Sequence, residues 1–128
     1  MTILWLDDLR NPYLNSEGLV PKVEGTLIWV RDFNEFTTWL LRNGVPAVVS
    51  FDHDLHPEHY TPPYLWADYQ ASKAYQDAKP YKERTGLDCA EWLVEFCKAT
   101  NSTLPKWYVH SANPVGADYI RECLNKGL

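Results

Sequence analysis

The chain has 128 residues, 45% of them hydrophobic and 23% charged, with 12 basic against 17 acidic side chains and a net charge of −5. That is enough apolar material for one packed domain and excludes a disordered chain, while the negative balance argues against a grip on duplex DNA. No apolar run approaches the roughly 20 residues that cross a bilayer, so no membrane partner is expected.

Residues 2–6 (Thr-Ile-Leu-Trp-Leu) form a short apolar run without alternation that stops at Asp7-Asp8. Such runs suit strands buried on both faces of a parallel sheet. Residues 9–25 carry Pro, Gly, Asn and Ser and read as a loop. Residues 26–30 are a second strand candidate. Asp32 followed by Glu35 then reads as a helix cap with its N3 partner, Phe33, Phe36 and Leu40 recur at helical spacing, and Gly44 and Pro46 end that helix.

Residues 47–51 (Ala-Val-Val-Ser-Phe) make the third strand and end at Asp52-His53-Asp54. Residues 57–84 are longer than a connection should be and hold Tyr60, Tyr64, Trp66, Tyr69, Tyr75 and Tyr81; the stretch from about Leu65 to Gln76 is compatible with a helix. His56 and His59 in its Pro-rich start read as solvated, unless that loop folds over and brings them to a site. Thr85 with Asp88 makes a capping box for a helix burying Cys89, Trp92, Leu93 and Phe96. Residues 106–109 are the fourth strand and stop at His110-Ser111. Asn113-Pro114 caps the last helix, whose buried stripe is Tyr119, Ile120, Cys123 and Leu124. Cys89, Cys97 and Cys123 lack metal-ligand spacing and read as buried thiols of a reducing cytoplasm, the expected location.

Alternation of strands and helices implies an α/β chain, 1–128, forming one domain around an open parallel sheet of about four strands with an aromatic-rich insertion at about 57–84. In such sheets ligands gather at the carboxyl ends of the strands. Here those ends hold Asp7, Asp8, Asp52, His53, Asp54, His110 and Ser111. Adjacent carboxylates at buried strand ends repel, and some must stay protonated unless a cation intervenes. All-oxygen ligation favours Mg²⁺ or Mn²⁺ over zinc. Side chains alternate along a strand, so Asp7 and Asp8 converge only if the strand ends at Asp7 and the chain turns. Likewise Asp52 and Asp54 share a face while His53 points away, unless the backbone has already turned.

The acidic ends, with Ser111 after the fourth strand, resemble the pocket of response-regulator receiver domains, which have a flavodoxin-like fold. A divergent relative is closer. The segments Leu6-Asp7-Asp8-Leu9-Arg10, Asp52-His53-Asp54-Leu55, Thr85-Gly86-x-Asp88 and His110-Ser111-x-Asn113-Pro114 are similar to the motifs of cyclic-phosphate-processing receiver domains. The resemblance implies action on a cyclic phosphate, either of a cyclic nucleotide or at a 2′,3′-cyclic RNA end. Against signalling receivers, a counterpart of the first helix is missing from residues 9–25, no fifth strand ending in lysine is seen, and two histidines join the pocket. These departures favour phosphoester chemistry over a phosphorelay.

On this reading Asp7, Asp8 and Asp52 bind the metal, with Asp54 as a further ligand or base. His110 and His53 serve as general acid and base, in either order. Arg10, Ser111, Asn113 and Thr85 are the candidate phosphate or substrate contacts, helped by the N-terminus of the last helix. Tyr64, Trp66 and Tyr69 would contact a base. The alternative is a non-catalytic receiver-like module that binds a nucleotide or partner protein, or accepts phosphate on Asp52. A metal nuclease is poorly served by the negative charge. A haloacid-dehalogenase-type phosphatase would need Asp-x-Asp after the first strand, where this chain has adjacent aspartates.

Overall fold

The structure is a computed structural model that describes residues 1–15, 17–78 and 83–127. In chain order it runs β1 (Thr2–Leu6), β2 (Thr26–Val30), α1 (Phe33–Asn43), β3 (Val48–Phe51), α2 (Tyr69–Ala78), α3 (Gly86–Ala99), β4 (Lys106–Val109) and α4 (Pro114–Lys126). The four strands form one parallel sheet in the order β2-β1-β3-β4. The α/β receiver-like architecture read from the sequence is therefore the one observed.

Why the apolar runs lack alternation is now visible. β1 and β3 are the two central strands, and Ile3 to Leu6 and Val48 to Phe51 are buried throughout. Leu4, Leu6, Val49 and Phe51 share one core with Phe36 and Leu40 of α1, Leu93 of α3 and Ile120 of α4. Each such fully buried side chain stabilises the fold by about 1.5–3 kcal/mol relative to exposure. The opposite face carries Ile3, Trp5 and Val48, which lie outside that cluster although they too are buried. Trp5 lies beneath the 9–25 segment, and its indole N–H donates to the carbonyl of Arg10 at 3.2 Å. The place where a first helix was missed in the sequence is thus filled by an irregular segment.

The helix boundaries follow from their caps. Asp32 Oδ1 accepts from the Glu35 N–H at 2.9 Å, and Gly44, at φ +82°, ends α1. The capping box of α3 closes from both sides, Thr85 N–H to Asp88 Oδ2 at 2.7 Å and Asp88 N–H to Thr85 Oγ1 at 3.5 Å. The helix in the long connection begins later than the sequence suggested, at Tyr69, after 3-10 turns at Pro57–His59 and Pro63–Leu65. Tyr81 lies outside the described residues.

Register positions the site. Leu6 is level with Val30 and Phe51, and Phe51 with Val109. The ladder runs one residue further: Asp7 N–H bonds Val30 O, Asp52 N–H bonds Leu6 O and His110 N–H bonds Phe51 O, at 2.9–3.1 Å. Asp7, Asp52 and His110 therefore leave the sheet side by side.

Candidate metal and phosphate site

Asp7, Asp8 and Asp52 each bring one carboxylate oxygen within 4.8 Å of the others. The turn that lets adjacent aspartates converge is made by Asp7 itself. Its Oδ1 accepts from the N–H groups of Leu9 (2.9 Å) and Arg10 (2.8 Å), which bends the chain as soon as β1 ends. Its Oδ2 accepts from His110 Nε2 at 3.1 Å and faces Arg10 Nη1 at 3.4 Å. Asp8 takes the hydroxyl of Tyr60 on both oxygens, at 3.2 and 3.1 Å. Asp52 Oδ1 accepts the N–H of His53 at 2.9 Å.

The three carboxyl groups sit in different fields. Burial pushes Asp7 upward, but the hydrogen bonds from His110, Arg10 and Leu9 outweigh it and hold the carboxylate below its ordinary range. Asp8 is raised by burial and by the charge of Asp7, against the bond from Tyr60. Asp52 is pushed up to about 8 by burial and by the charges of Asp7 and Asp54, more than Arg10 and Ser111 recover. The cluster is short of positive charge. Arg10 reaches Asp7 at 3.4 Å, and its guanidinium is shared with Glu17 at 3.3 Å.

His110 lies beside the acids, whereas His53 and His59 are placed differently from the sequence reading. His110 stacks on Trp5, ring centroids 3.7 Å apart and planes within 5°. One nitrogen meets Asp7 and the other meets Ser50 Oγ at 2.8 Å. A carboxylate only accepts, so Nε2 carries the proton and the Ser50 hydroxyl donates to Nδ1. Burial lowers the imidazole, against the pull of Asp7, and keeps it neutral. His53, 2% exposed, was expected in the pocket; instead Nδ1 bonds Asp54 Oδ1 at 2.7 Å and Nε2 faces the Gln76 amide at 3.3 Å. His59 is not solvated either. It is fully buried, accepting from the Leu55 N–H at 2.9 Å and bonding the Glu83 carbonyl at 2.9 Å.

Thr85 and Asn113 act as caps. Thr85 is closed on Asp88, and the residue after it explains the Thr-Gly pair: a Cβ on Gly86 would collide with the Asp52 carbonyl, and the Gly86 N–H donates to His53 O at 2.8 Å. Glycine lets the start of α3 press against the backbone that presents Asp52. Asn113 Oδ1 accepts from the Gly116 N–H at 3.0 Å, and its amide donates to Asp54 (3.0 Å) and Gln76 (3.1 Å). Ser111 Oγ accepts from the Asn113 N–H at 3.1 Å. Pro114 has no N–H and Gly116 is capped, so the first turn of α4 has little left to offer a phosphate.

Beside the acids opens a cavity of about 430 Å³ whose lining includes Asp7, Asp52, Asp54, Asn113, Tyr60, Thr61 and Trp66. Trp66 is part of this lining. Tyr64 is 81% exposed and outside the lining, and Tyr69 turns its hydroxyl to Asp118 at 2.8 Å. Sequence reasoning missed Ser50, Tyr60, Thr61 and Gln76. Ser50 left a signal, being the one hydroxyl within an otherwise apolar strand and two residues before Asp52 on the same face. Cys89 and Cys97 are buried, Cys123 is half-buried, and burial pushes all three thiols up, so none is a nucleophile in waiting.

Among the described residues, no helix is long and apolar enough to cross a membrane. A family model described as the cyclic-phosphate processing receiver domain matches residues 2–126. No curated protein and no solved structure matches the chain.

Proposed function

Because the chain belongs to the cyclic-phosphate processing receiver domain family, we propose that it is a divalent-cation-dependent phosphoesterase that opens a cyclic phosphate on a nucleotide or at an RNA end. The observation that carries this reading is the trio Asp7, Asp8 and Asp52, converging within 4.8 Å beside a cavity larger than a phosphate needs.

The donor set fits Mg²⁺ or Mn²⁺: three carboxylates and no thiolate, with Asp52 pushed up to about 8 by burial and by the charges of Asp7 and Asp54. Asp7, Asp8 and Asp52 would hold the ion, which supplies Lewis-acid neutralisation of a phosphoryl oxygen when bound. The other residues position and move protons. His110, through Nε2, and the Leu9 and Arg10 N–H groups fix Asp7, the kind of outer support that keeps a ligand oriented. Tyr60 does the same for Asp8. Asp54 lines the cavity with one oxygen held by His53 and Asn113, and it is the group suited to take a proton from attacking water. His53 orients that base, a positioning role in place of the acid–base role first assigned to it. The neutral, doubly bonded His110 likewise supports a ligand in place of serving as general acid.

The test is turnover. Purified protein with Mg²⁺ or Mn²⁺ is expected to open nucleoside 2′,3′-cyclic phosphates, 3′,5′-cyclic nucleotides or cyclic-ended RNA oligomers, and Asp52→Ala to abolish this while remaining folded. No turnover of any of these with either metal overturns the proposal; tight binding without product identifies a sensor instead. An active Asp52→Ala removes the metal assignment.

A further inference from the structure

Thr61 lines the cavity, is 9% exposed, and carries the one buried side-chain polar atom that has no hydrogen-bond partner among the described residues, its Oγ1. Buried hydroxyls in folded proteins are nearly always paired, and an orphan costs stability. Its neighbours are committed elsewhere. The Trp66 indole N–H donates to the Thr61 carbonyl at 2.7 Å, and the Tyr60 hydroxyl is held by Asp8. Both aromatic side chains thus have their polar ends tied down. Trp66 is 67% exposed, and both rings border the same cavity.

The size and charge of this cavity narrow the ligand. A volume of about 430 Å³ lies within the range that holds a small organic molecule and far exceeds one phosphate. Leu9, Ala112 and Pro114 add apolar lining, and among the described residues Arg10, already paired with Asp7 and Glu17, is the only cation in it. Among those residues a second phosphate finds no free cation, whereas a flat neutral ring with a hydrogen-bonding edge has two aromatic neighbours and a hydroxyl.

Resting on the phosphoesterase reading, we propose that Tyr60, Thr61 and Trp66 form a nucleoside subsite, in which the Thr61 hydroxyl hydrogen-bonds the base or sugar of a single nucleotide whose cyclic phosphate faces the acids. The bond gives a partner to an oxygen that has none among the described residues. Specificity for nucleoside over other cyclic phosphates then comes from the connection between β3 and α2.

The experiment compares uridine and adenosine 2′,3′-cyclic phosphates with nucleoside-free ethylene cyclic phosphate, by calorimetric binding and by turnover in saturating Mg²⁺. Wild-type protein is expected to prefer the nucleoside compounds, and Thr61→Val to cut that preference about tenfold. Thr61→Ser restores most of it. The melting temperature of Thr61→Val equals or exceeds that of the wild type, because an unpaired hydroxyl is removed. Absence of a preference, a preference unchanged in Thr61→Val, or a melting temperature lowered by several degrees overturns the subsite. The two readings fail separately. A Thr61-dependent preference in binding with no hydrolysis keeps the subsite and removes the phosphoesterase. Equal hydrolysis of all three compounds keeps the phosphoesterase and removes the subsite.

Discussion

The imidazole of His53 fills the space that a Cβ on Gly116 would need. The ring is thereby clamped between the first turn of α4, its neighbour Asp54 and Gln76 of α2. Gly116→Ala must displace it, at a cost of about 2 kcal/mol by the usual penalty for overpacking. Urea unfolding is expected to show a lowered midpoint with unchanged slope, together with lost activity as Asp54 moves. Gly86→Ala should cost more, about 3 kcal/mol, because the atoms it meets are the backbone of Asp52 and His53, which cannot rotate away.

Stability of the metal-free protein should fall as pH rises through the acid and neutral range. Asp52 titrates near its ordinary value when unfolded and at about 8 when folded, so the native state binds the extra proton between those limits. The slope is at most about 1.4 kcal/mol per pH unit for one proton, over roughly pH 4 to 8. Asp8 is raised as well and adds in the same direction. Asp7 is lowered, so its contribution is present above its unfolded value and is lost only at more acid pH, outside this window. Thermal melts across pH, with and without Asp52→Asn, check the sign: the variant should be flatter and more stable near pH 8.

Addition of Mg²⁺ or Mn²⁺ should erase that slope. A cation bound only by the native state stabilises it by about 2.7 kcal/mol at a hundredfold excess over its dissociation constant. The rise in melting temperature on adding metal, and its reversal by chelator, is expected in the wild type and absent in Asp52→Asn.

His110→Phe should keep the stack on Trp5 while losing the bonds to Asp7 and Ser50. The expected result is a 10–100-fold loss of metal affinity, about the effect of removing an outer-shell partner. Saturating metal should recover most of the rate, and the alkaline limb of the pH–rate profile should stay. Disappearance of that limb would make His110 the proton donor after all.

Local chemistry made much of this legible from the residues alone. The four strands end where Asp7-Asp8, Arg31, Asp52 and His110 interrupt apolar runs, and the caps at Asp32, Thr85 and Asn113 announce three helices. Convergence of Asp7 and Asp8 was foreseeable as a condition, that the strand end at Asp7 and the chain turn; β1 ends at Leu6, the ladder runs on through the Asp7 N–H, and the turn follows at once. The fates of the histidines were not legible. Whether a ring nitrogen faces a cavity, a carbonyl or an amide depends on what another element brings, and His53 waits on Gln76 as His59 waits on Glu83. A hint lay in Gly116, three residues after the cap Asn113, since a glycine inside a helix marks something packed closely against it. Thr61 gave no sign, because an unpaired hydroxyl is defined only by the absence of neighbours.

The helices are fastened to the molecule by different means. α3 buries Cys89, Leu93 and Cys97 in the core, whereas the buried residues of α2 are Ser72 and Gln76. On its outer side α2 reaches α4 through Tyr69 to Asp118, Tyr119 to Asp77 and Lys73 to Tyr119, at 2.7–2.8 Å. Such a seam is held by directional contacts that water can replace one at a time. The flank over the cavity therefore belongs to a weaker cooperative unit than the sheet, and its amides should exchange with deuterium well before those of β1 and β3.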